Sequence, residues 1–202
     1  EIHERLVGSE MCIRDSGMLA PGDVRNCVSA LAEVDPVMGE LLNFRFKDGS
    51  LKGHSLGNLF LAALNETSSS FDEAVKKFSH LTGVVGTVYP VTNESVTLSA
   101  LLEDGRLIEG ESHIGVHHDG PKNGIVKLMV NPEKPKAVDG VIKALEKADI
   151  IVLGPGSLYT SIIPNLLVDG VVDAIKKSNA VKIYVCNIMS QAGETENYTV
   201  SD

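Results

Sequence analysis

The sequence predicts an α/β protein with a mostly parallel, doubly wound sheet and a β-hairpin insertion. In the last third of the chain, helical stretches alternate with short apolar strands at 149–153 and 181–187, which is the repeating unit of a doubly wound sheet. Short, continuously apolar strands are typical of parallel sheets that are covered on both faces. The pair Asp104-Gly105 between two β-type runs predicts the hairpin turn.

Two helices are predicted near the start of the chain. Apolar residues at 24, 27, 28 and 31 follow the spacing of one helical face. We expect Asp23 to cap this helix at its N-terminus and Asp35-Pro36 to end it. A second short helical stretch is predicted at 37–46, before a polar run.

Two more helices follow in the first half. The segment 56–64 is apolar nearly all round, which predicts a buried helix. Ser70, with Glu73 three residues later, has the pattern of a capping box. The apolar residues at 71, 74, 75 and 78 then share one face, and Gly83 suits the C-terminal end of this helix.

Beyond residue 83 the pattern changes from helical to mixed. Short β-type runs are predicted at 84–88, 96–101, 106–111 and 124–130, and helices are predicted at 137–148 and 164–177.

Size and composition predict one globular domain and disfavour several classes of protein. The chain has 202 residues, of which 43% are hydrophobic and 22% charged, an ordinary globular balance. Its net charge of −9 and its lack of Trp disfavour binding to nucleic acid or to an anionic membrane. No apolar run approaches the ~20 residues of a membrane span. Three widely spaced cysteines, Cys12, Cys27 and Cys186, indicate a reducing, cytoplasmic compartment.

The first sixteen residues have a different character from the rest. Residues 1–16 show no helical or strand period and no apolar core of a signal peptide. We interpret them as a non-native leader, with a native N-terminal segment as the alternative, and place a partial α/β domain at 17–202. Because the chain stops just after a strand-like run, we expect a fragment of a longer protein.

The most informative motif is the run Gly154-Pro155-Gly156-Ser157-Leu158-Tyr159-Thr160-Ser161. It lies between a predicted strand and a predicted helix, where α/β folds bind ligands. Gly154 and Gly156 would let the backbone approach an anion closely. The hydroxyls of Ser157, Thr160 and Ser161 would add uncharged donors. The lysine of a Walker loop is absent from this run. We predict contact with a phosphate or sugar nucleotide; a tight turn with capping hydroxyls is the alternative.

Asn187 follows the second apolar strand of this region. Because the carboxyl ends of parallel strands meet at one edge of a sheet, we expect Asn187 beside the loop that begins at Gly154. The alternative is an ordinary loop with no ligand.

The run Gly53-His54-Ser55-Leu56-Gly57-Asn58 formally fits the nucleophile elbow G-x-S-x-G. No buried strand precedes it, and the histidines that follow Ser55 lie in predicted loops or caps, so serine hydrolysis is disfavoured. We expect instead a loop that starts a helix, with Ser55 as the cap and His54 facing a ligand.

Three polar residues crowd the first turn of the first predicted helix. Arg25 is a candidate phosphate clamp, and Asn26 is a candidate partner for a ribose or a base edge. The alternative is that Asp23 only caps the helix and that Arg25 is solvated. Elsewhere, His113, His117, His118 and Asp119 have loose metal-ligand spacing, but their glycine neighbours favour a solvated turn.

Five motifs occur in order along the chain: PGDVRN, GHSLGN, DGRLIEGES, ADIIVLGPGSLYTSIIPNLLVDG and KIYVCNIMSQAGET. Together they resemble the bacterial gluconeogenesis factor family, which is related to the 2-phospho-L-lactate transferase (CofD-like) family. The resemblance covers 17–202. It implies a Rossmann-like three-layer α/β/α fold in a cytoplasmic protein.

The resemblance also implies a function. It points to a regulatory protein that binds a nucleotide sugar of the UDP-N-acetylglucosamine type and supports cell shape and wall synthesis under gluconeogenic growth. The alternative is a 2-phospho-L-lactate transferase that acts on a deazaflavin acceptor with a divalent metal such as Mg²⁺. By motif match the implied ligand-binding residues are Asp23, Arg25, Asn26, His54, Ser55, Asn58, Gly154, Gly156, Ser157, Thr160 and Asn187.

The sequence also departs from the family. The family begins with a strand and a GGGTG loop and continues past the point where this chain ends, so part of the pocket is expected to be missing. Exposed strand edges would then lower the stability of the chain. We still expect Arg25, Asn58 and Thr160 to converge on a diphosphate. Because no convincing nucleophile or general base is present, a binding protein is favoured over an enzyme. The catalytic residues, the exact ligand and a homo-oligomeric state stay open.

Overall fold

The computed structural model describes residues 22–33, 35–115, 124–196 and 198–201. The chain divides into two compact units, Glu1–Asn93 and Glu94–Asp202. Helices and strands are both present, so the predicted α/β class is confirmed. Among the described residues, no helix has the length and apolar character needed to cross a bilayer.

Four helices lie in the described part of the first unit. They are α1 (Gly22–Leu31), α2 (Pro36–Asn43), α3 (Leu56–Glu66) and α4 (Phe71–Leu81). Their inward faces form one apolar core, in which Val28, Leu61 and Phe78 are fully buried. Burial of each such side chain stabilises the unit by roughly 1.5–3 kcal/mol.

The ends of α1 differ from the prediction. Asp23 lies inside the first turn of the helix and not before it. Asp35 does not end α1 but caps α2, since its carboxylate accepts a hydrogen bond of 2.9 Å from the Val37 amide. Pro36 is the first helical residue of α2, a position where the missing N–H of proline breaks no helical hydrogen bond.

The predicted extent of α2 and the predicted burial of α3 are also wrong. Helix α2 ends at Asn43 because Phe44 is extended, with φ −59° and ψ 131°. Helix α3 is not buried all round: its buried residues include Leu61, whereas Phe60 is exposed. The reason is that, within the described part of the first unit, α3 packs on its neighbours through one face only.

The start of α4 carries a shifted capping box. The Ser70 hydroxyl accepts a hydrogen bond of 3.4 Å from the Glu73 amide, as predicted. The Glu73 carboxylate does not return to Ser70; it accepts from the amide of Ser69, at 2.8 Å. Two free amides at the start of the helix are therefore satisfied by side chains.

Asp72 makes the stability of the first unit sensitive to acid. Its carboxylate accepts hydrogen bonds from Lys76 Nζ (2.8 Å), Ser70 Oγ (2.6 Å) and Asn93 Nδ2 (3.0 Å). These contacts, with Lys76 the largest cause, lower the pKa of Asp72 to about 2. Because the pKa is depressed in the folded state, the contribution is present above the unfolded value of about 3.9 and is lost as the pH falls towards 2. In urea denaturation followed by circular dichroism, Asp72→Asn should reduce the loss of stability between pH 4 and pH 2.

The matched control for this prediction is Asp48→Asn, because Asp48 is an exposed carboxylate in a loop of the same unit. This control should leave the pH profile of the wild-type chain unchanged. The role of Asp72 is contradicted if both variants unfold with the same pH dependence.

Two sheets form in the second unit. The strands are β1 (Thr97–Leu102), β2 (Leu107–Glu109), β3 (Ile125–Asn131), β4 (Ile150–Leu153) and β5 (Val181–Tyr184). Strands β2, β1 and β3 form an antiparallel sheet in that order, and β4 pairs with β5 in parallel. The predicted hairpin at Asp104-Gly105 and the predicted parallel pair are confirmed. The prediction of a strand at 84–88 is wrong, since this segment forms only an isolated bridge between Val84 and Ala32.

Helices flank these strands along the chain. They are α5 (Glu111–Ile114), α6 (Asp139–Lys147), a π-helical turn (Leu158–Ile162), α7 (Ile163–Leu166) and α8 (Val171–Lys177). The single helix predicted at 164–177 is therefore broken. The break has a tertiary cause: Asp169 donates its amide to Pro135 O at 2.9 Å and forms a bridge with Lys136.

The β4–β5 pair exposes one apolar face. Ile150 lies beside Val181, and Val152 lies beside Ile183, so these four side chains share a face. They are 42–62% exposed. The prediction that both faces of these strands are covered is therefore wrong for the described residues, because no described element packs over this face.

Candidate functional site

The first group of predicted site residues lies where α1 approaches the start of α3. Arg25 is 7% exposed and lies against Gly57: a Cβ added to Gly57 would come within 2.9 Å of Arg25 Cδ. Arg25 Nη1 donates to Asn43 Oδ1 at 2.9 Å, and Nη2 donates to Asn26 Oδ1. Two amide oxygens and a glycine surface therefore fix the orientation of the guanidinium.

The charge of Arg25 is not neutralised within the described residues. No carboxylate there forms an ion pair with it. Burial lowers the pKa of Arg25, and the positive charge of Arg45 lowers it further. A buried cation without a counter-charge is costly, so a bound anion would be stabilised at this place.

Three buried polar atoms of this region have no hydrogen-bond partner among the described residues. They are Arg25 Nε, His54 Nδ1 and Asn58 Oδ1. Buried polar atoms are normally paired, and each exception needs a water, an ion or a ligand. We call Arg25, Asn26, Asn43, His54 and Asn58 the Arg25 cluster.

Two other predicted residues of the first unit play different parts. Ser55 caps α3, since its hydroxyl accepts from the Asn58 amide at 3.2 Å, and this prediction is confirmed. That contact positions Asn58 by joining it to the start of the helix. Asp23 is exposed in the first turn of α1, and no hydrogen bond joins it to the Arg25 cluster.

The second group of predicted residues forms the loop after β4. Gly154 has φ +84°, and a Cβ there would lie 2.7 Å from Val185 O, so the close approach of the two strand ends requires glycine. Asn187 Nδ2 donates to Gly156 O at 2.8 Å, and Asn187 Oδ1 accepts from Gly156 N at 3.2 Å. The structure therefore brings Asn187 and the glycine loop together, and Asn187 holds the shape of this loop.

Thr160 differs from its predicted role as a donor to a ligand. Its hydroxyl donates to Glu194 Oε1 at 2.9 Å. Glu194 Oε2 also accepts from the Tyr159 amide at 2.9 Å, so two donors of the loop are already used. Ser157 remains as a candidate donor, because its hydroxyl has no partner among the described residues.

Three residues of these two groups were not predicted as site residues from the sequence: Asn43, Gly57 and Glu194. Gly57 stood in the quoted GHSLGN motif, where a glycine inside a helix is itself a signal of close packing. Glu194 stood in the quoted KIYVCNIMSQAGET motif, where nothing distinguished it from an ordinary polar loop residue. Asn43, near the end of a predicted helix, carried no recognisable signal.

The described residues contain no group of three His, Cys, Asp or Glu side chains that would hold a metal ion. His113 Nδ1 lies 2.8 Å from Glu109 O. His117, His118 and Asp119 lie outside the described residues. Arg25 and Asn58 belong to one unit and Thr160 to the other, so their convergence stays a prediction.

Known proteins resemble this chain over nearly its whole length. The family model described as 2-phospho-L-lactate transferase CofD matches residues 7–202. A putative gluconeogenesis factor from Clostridium acetobutylicum is 48% identical over 96% of this chain and 43% of the relative. One from Thermoanaerobacterium thermosulfurigenes is 52% identical over 95% of this chain and 59% of the relative. The chain spans about half the length of these curated relatives.

A solved structure and a further relative also resemble this chain over most of its length. A crystal structure of a UPF0052-family protein from Bacillus halodurans has a TM-score of 0.90 and 43% identity, and covers 96% of this chain and 62% of its own. The gluconeogenesis factor of Bacillus subtilis is 44% identical over 90% of this chain and 56% of its own length. The chain therefore belongs to the CofD-like gluconeogenesis factor family.

Proposed function

We propose that this protein is a cytoplasmic regulatory protein that binds a nucleotide sugar of the UDP-N-acetylglucosamine type. The observation that carries the proposal is the buried guanidinium of Arg25, which has no carboxylate partner among the described residues and an unpartnered Nε. A diphosphate supplies both negative charge and acceptor oxygens to such a group. Support for cell shape and wall synthesis under gluconeogenic growth is proposed from the family resemblance.

The Arg25 cluster favours a nucleotide sugar over phosphate alone. Asn58 Oδ1 is buried without a donor among the described residues. A phosphate dianion offers acceptors only, whereas a sugar hydroxyl or a uracil N–H offers the donor that Asn58 lacks. A ligand with a diphosphate and a polar organic part would therefore satisfy both kinds of unpaired atom.

The second candidate is a 2-phospho-L-lactate transferase. It is favoured by the description of the family model that matches residues 7–202. Mg²⁺ would be expected in such an enzyme, where it is usually held by one or two carboxylates together with waters and the phosphates of the substrate. A transfer assay with Mg²⁺ and a deazaflavin acceptor tests this candidate, and turnover would favour it over the binding protein.

Calorimetry tests the leading proposal directly. Titration of the chain with UDP-N-acetylglucosamine should release or absorb heat with saturation at micromolar ligand. At a hundredfold excess over Kd, the ligand should add about 2.7 kcal/mol to the free energy of unfolding. Free N-acetylglucosamine, which lacks the diphosphate, is the control. It should produce no binding heat and should not stabilise the chain. Binding is ruled out if UDP-N-acetylglucosamine produces no heat and no stabilisation at millimolar concentration.

A further inference from the structure

Glu194 is a buried acidic residue at the glycine loop, and the sequence did not single it out. Its side chain is 4% exposed. Besides the Tyr159 amide and the Thr160 hydroxyl, each at 2.9 Å, it accepts a hydrogen bond from Gln191 Nε2 at 3.4 Å. The local backbone holds it in place, because the Glu194 amide donates to Gln191 O at 3.1 Å. A carboxylate from one loop therefore fixes two consecutive residues of another.

The contact decides what Thr160 can offer to a ligand. A threonine hydroxyl has one proton and two acceptor lone pairs. The Thr160 proton is engaged in the hydrogen bond to the carboxylate. The hydroxyl oxygen can therefore only accept a hydrogen bond from any further partner. A phosphate oxygen has no proton to donate, whereas a sugar hydroxyl has one.

The charge of Glu194 acts in the same direction. No ion pair joins it to a lysine, arginine or histidine among the described residues. An unpaired carboxylate next to Thr160 repels a phosphate and does not repel a neutral hydroxyl group.

We propose that Glu194 is a positioning residue that orients Thr160 as an acceptor, so that this end of the loop recognises a hydroxyl of the ligand's sugar. The inference rests on the proposed function and deepens it. It assigns the diphosphate to donors other than Thr160. Thr160 then makes the protein bind a nucleotide that carries a sugar more tightly than the same nucleotide without the sugar.

Two substitutions separate the orienting role from the structural one. In Glu194→Gln, the side-chain oxygen still accepts from the Tyr159 amide. The new NH₂ group donates to the Thr160 hydroxyl oxygen, so the Thr160 O–H is free to donate to a ligand. This variant keeps the loop but reverses Thr160 from acceptor to donor. In Glu194→Ala, both contacts are lost. Glu196→Gln, the same change at a half-buried neighbour, is the matched control.

The experiment measures two quantities for the whole chain. Calorimetry gives the ratio of the Kd for UDP to the Kd for UDP-N-acetylglucosamine, and amide hydrogen exchange gives the protection of Tyr159. Glu194→Gln should lower the Kd ratio about tenfold, the size expected when a single polar contact is lost, and leave Tyr159 protected. Glu194→Ala should make the Tyr159 amide exchange at least about tenfold faster. The control should change neither quantity.

Each part of the inference has its own contrary result. An unchanged Kd ratio in Glu194→Gln overturns the orientation of Thr160. Wild-type exchange at Tyr159 in Glu194→Ala overturns the positioning role. A wild-type chain that binds neither nucleotide overturns the proposed function and the hydroxyl assignment together, and the exchange data then still decide whether Glu194 holds the loop.

Discussion

Arg25→Met should weaken binding of UDP-N-acetylglucosamine about a hundredfold. The change keeps the aliphatic part of the side chain that lies against Gly57 but removes the guanidinium. Loss of charge-assisted hydrogen bonds to a buried phosphate costs about 2–3 kcal/mol, which corresponds to roughly this factor in Kd. Calorimetry with the same nucleotide sugar measures the loss.

The same variant should unfold no more easily than the wild-type chain in the absence of ligand. Met removes a buried cation that no described carboxylate neutralises, and replacement of uncompensated buried charge by apolar groups is often neutral or stabilising. Asn26 and Asn43 lose their hydrogen bonds to Arg25, but both are exposed and can bond to water. Urea denaturation of the free protein should therefore show an equal or higher midpoint.

Arg45→Met provides the matched control for Arg25. Arg45 is exposed and donates to Gly53 O at 2.9 Å, so its loss should change affinity only slightly. The proposal for Arg25 is wrong if the two variants bind with equal affinity, or if Arg25→Met loses affinity only because the free protein has become unstable.

Gly57→Ala should destabilise the first unit by about 2 kcal/mol and weaken ligand binding at least about tenfold. The added methyl group would lie 2.7 Å from the backbone oxygen of Leu42 and 2.9 Å from Arg25 Cδ. Overpacking of this kind costs about 1–3 kcal/mol. The backbone carbonyl cannot rotate away, so Arg25 must move, which displaces the guanidinium from Asn43.

The higher helix propensity of alanine opposes the destabilisation by this clash. The sign of the change in the free energy of unfolding therefore shows which effect is larger. Alanine is favoured over glycine inside a helix by up to about 1 kcal/mol. Ala63→Gly, at an exposed position of the same helix, measures that propensity with the opposite change. If Gly57→Ala is instead stabilised by the amount that Ala63→Gly loses, the close contact at Gly57 has no energetic consequence and the argument for it fails.

Local signals predicted most of the elements, because their causes lie within a few residues. Ser55 and Ser70 cap helices as their positions suggest, and Asp104-Gly105 turns a hairpin. The failures have tertiary causes. The apolar run at 84–88 has the composition of a strand but finds only one bridge partner. The helix predicted at 164–177 breaks where Asp169 pairs with a segment more than thirty residues earlier.

The site was predictable to the same degree. The meeting of Asn187 with the loop at Gly156 follows from parallel strand ends at one sheet edge, and the structure shows it. Glu194 was not predictable, because its partners Tyr159 and Thr160 lie 34 to 35 residues away. For the same reason the sequence could not show that the Thr160 hydroxyl donates to a carboxylate of the protein itself.

The bare aliphatic face of the β4–β5 pair has a thermodynamic consequence. The heat capacity of unfolding comes mainly from apolar surface that water first reaches when the chain unfolds. Ile150, Val152, Val181 and Ile183 are in large part hydrated in the folded chain, so they add little to that quantity. The heat capacity change of unfolding should therefore be slightly smaller than the length of the chain implies.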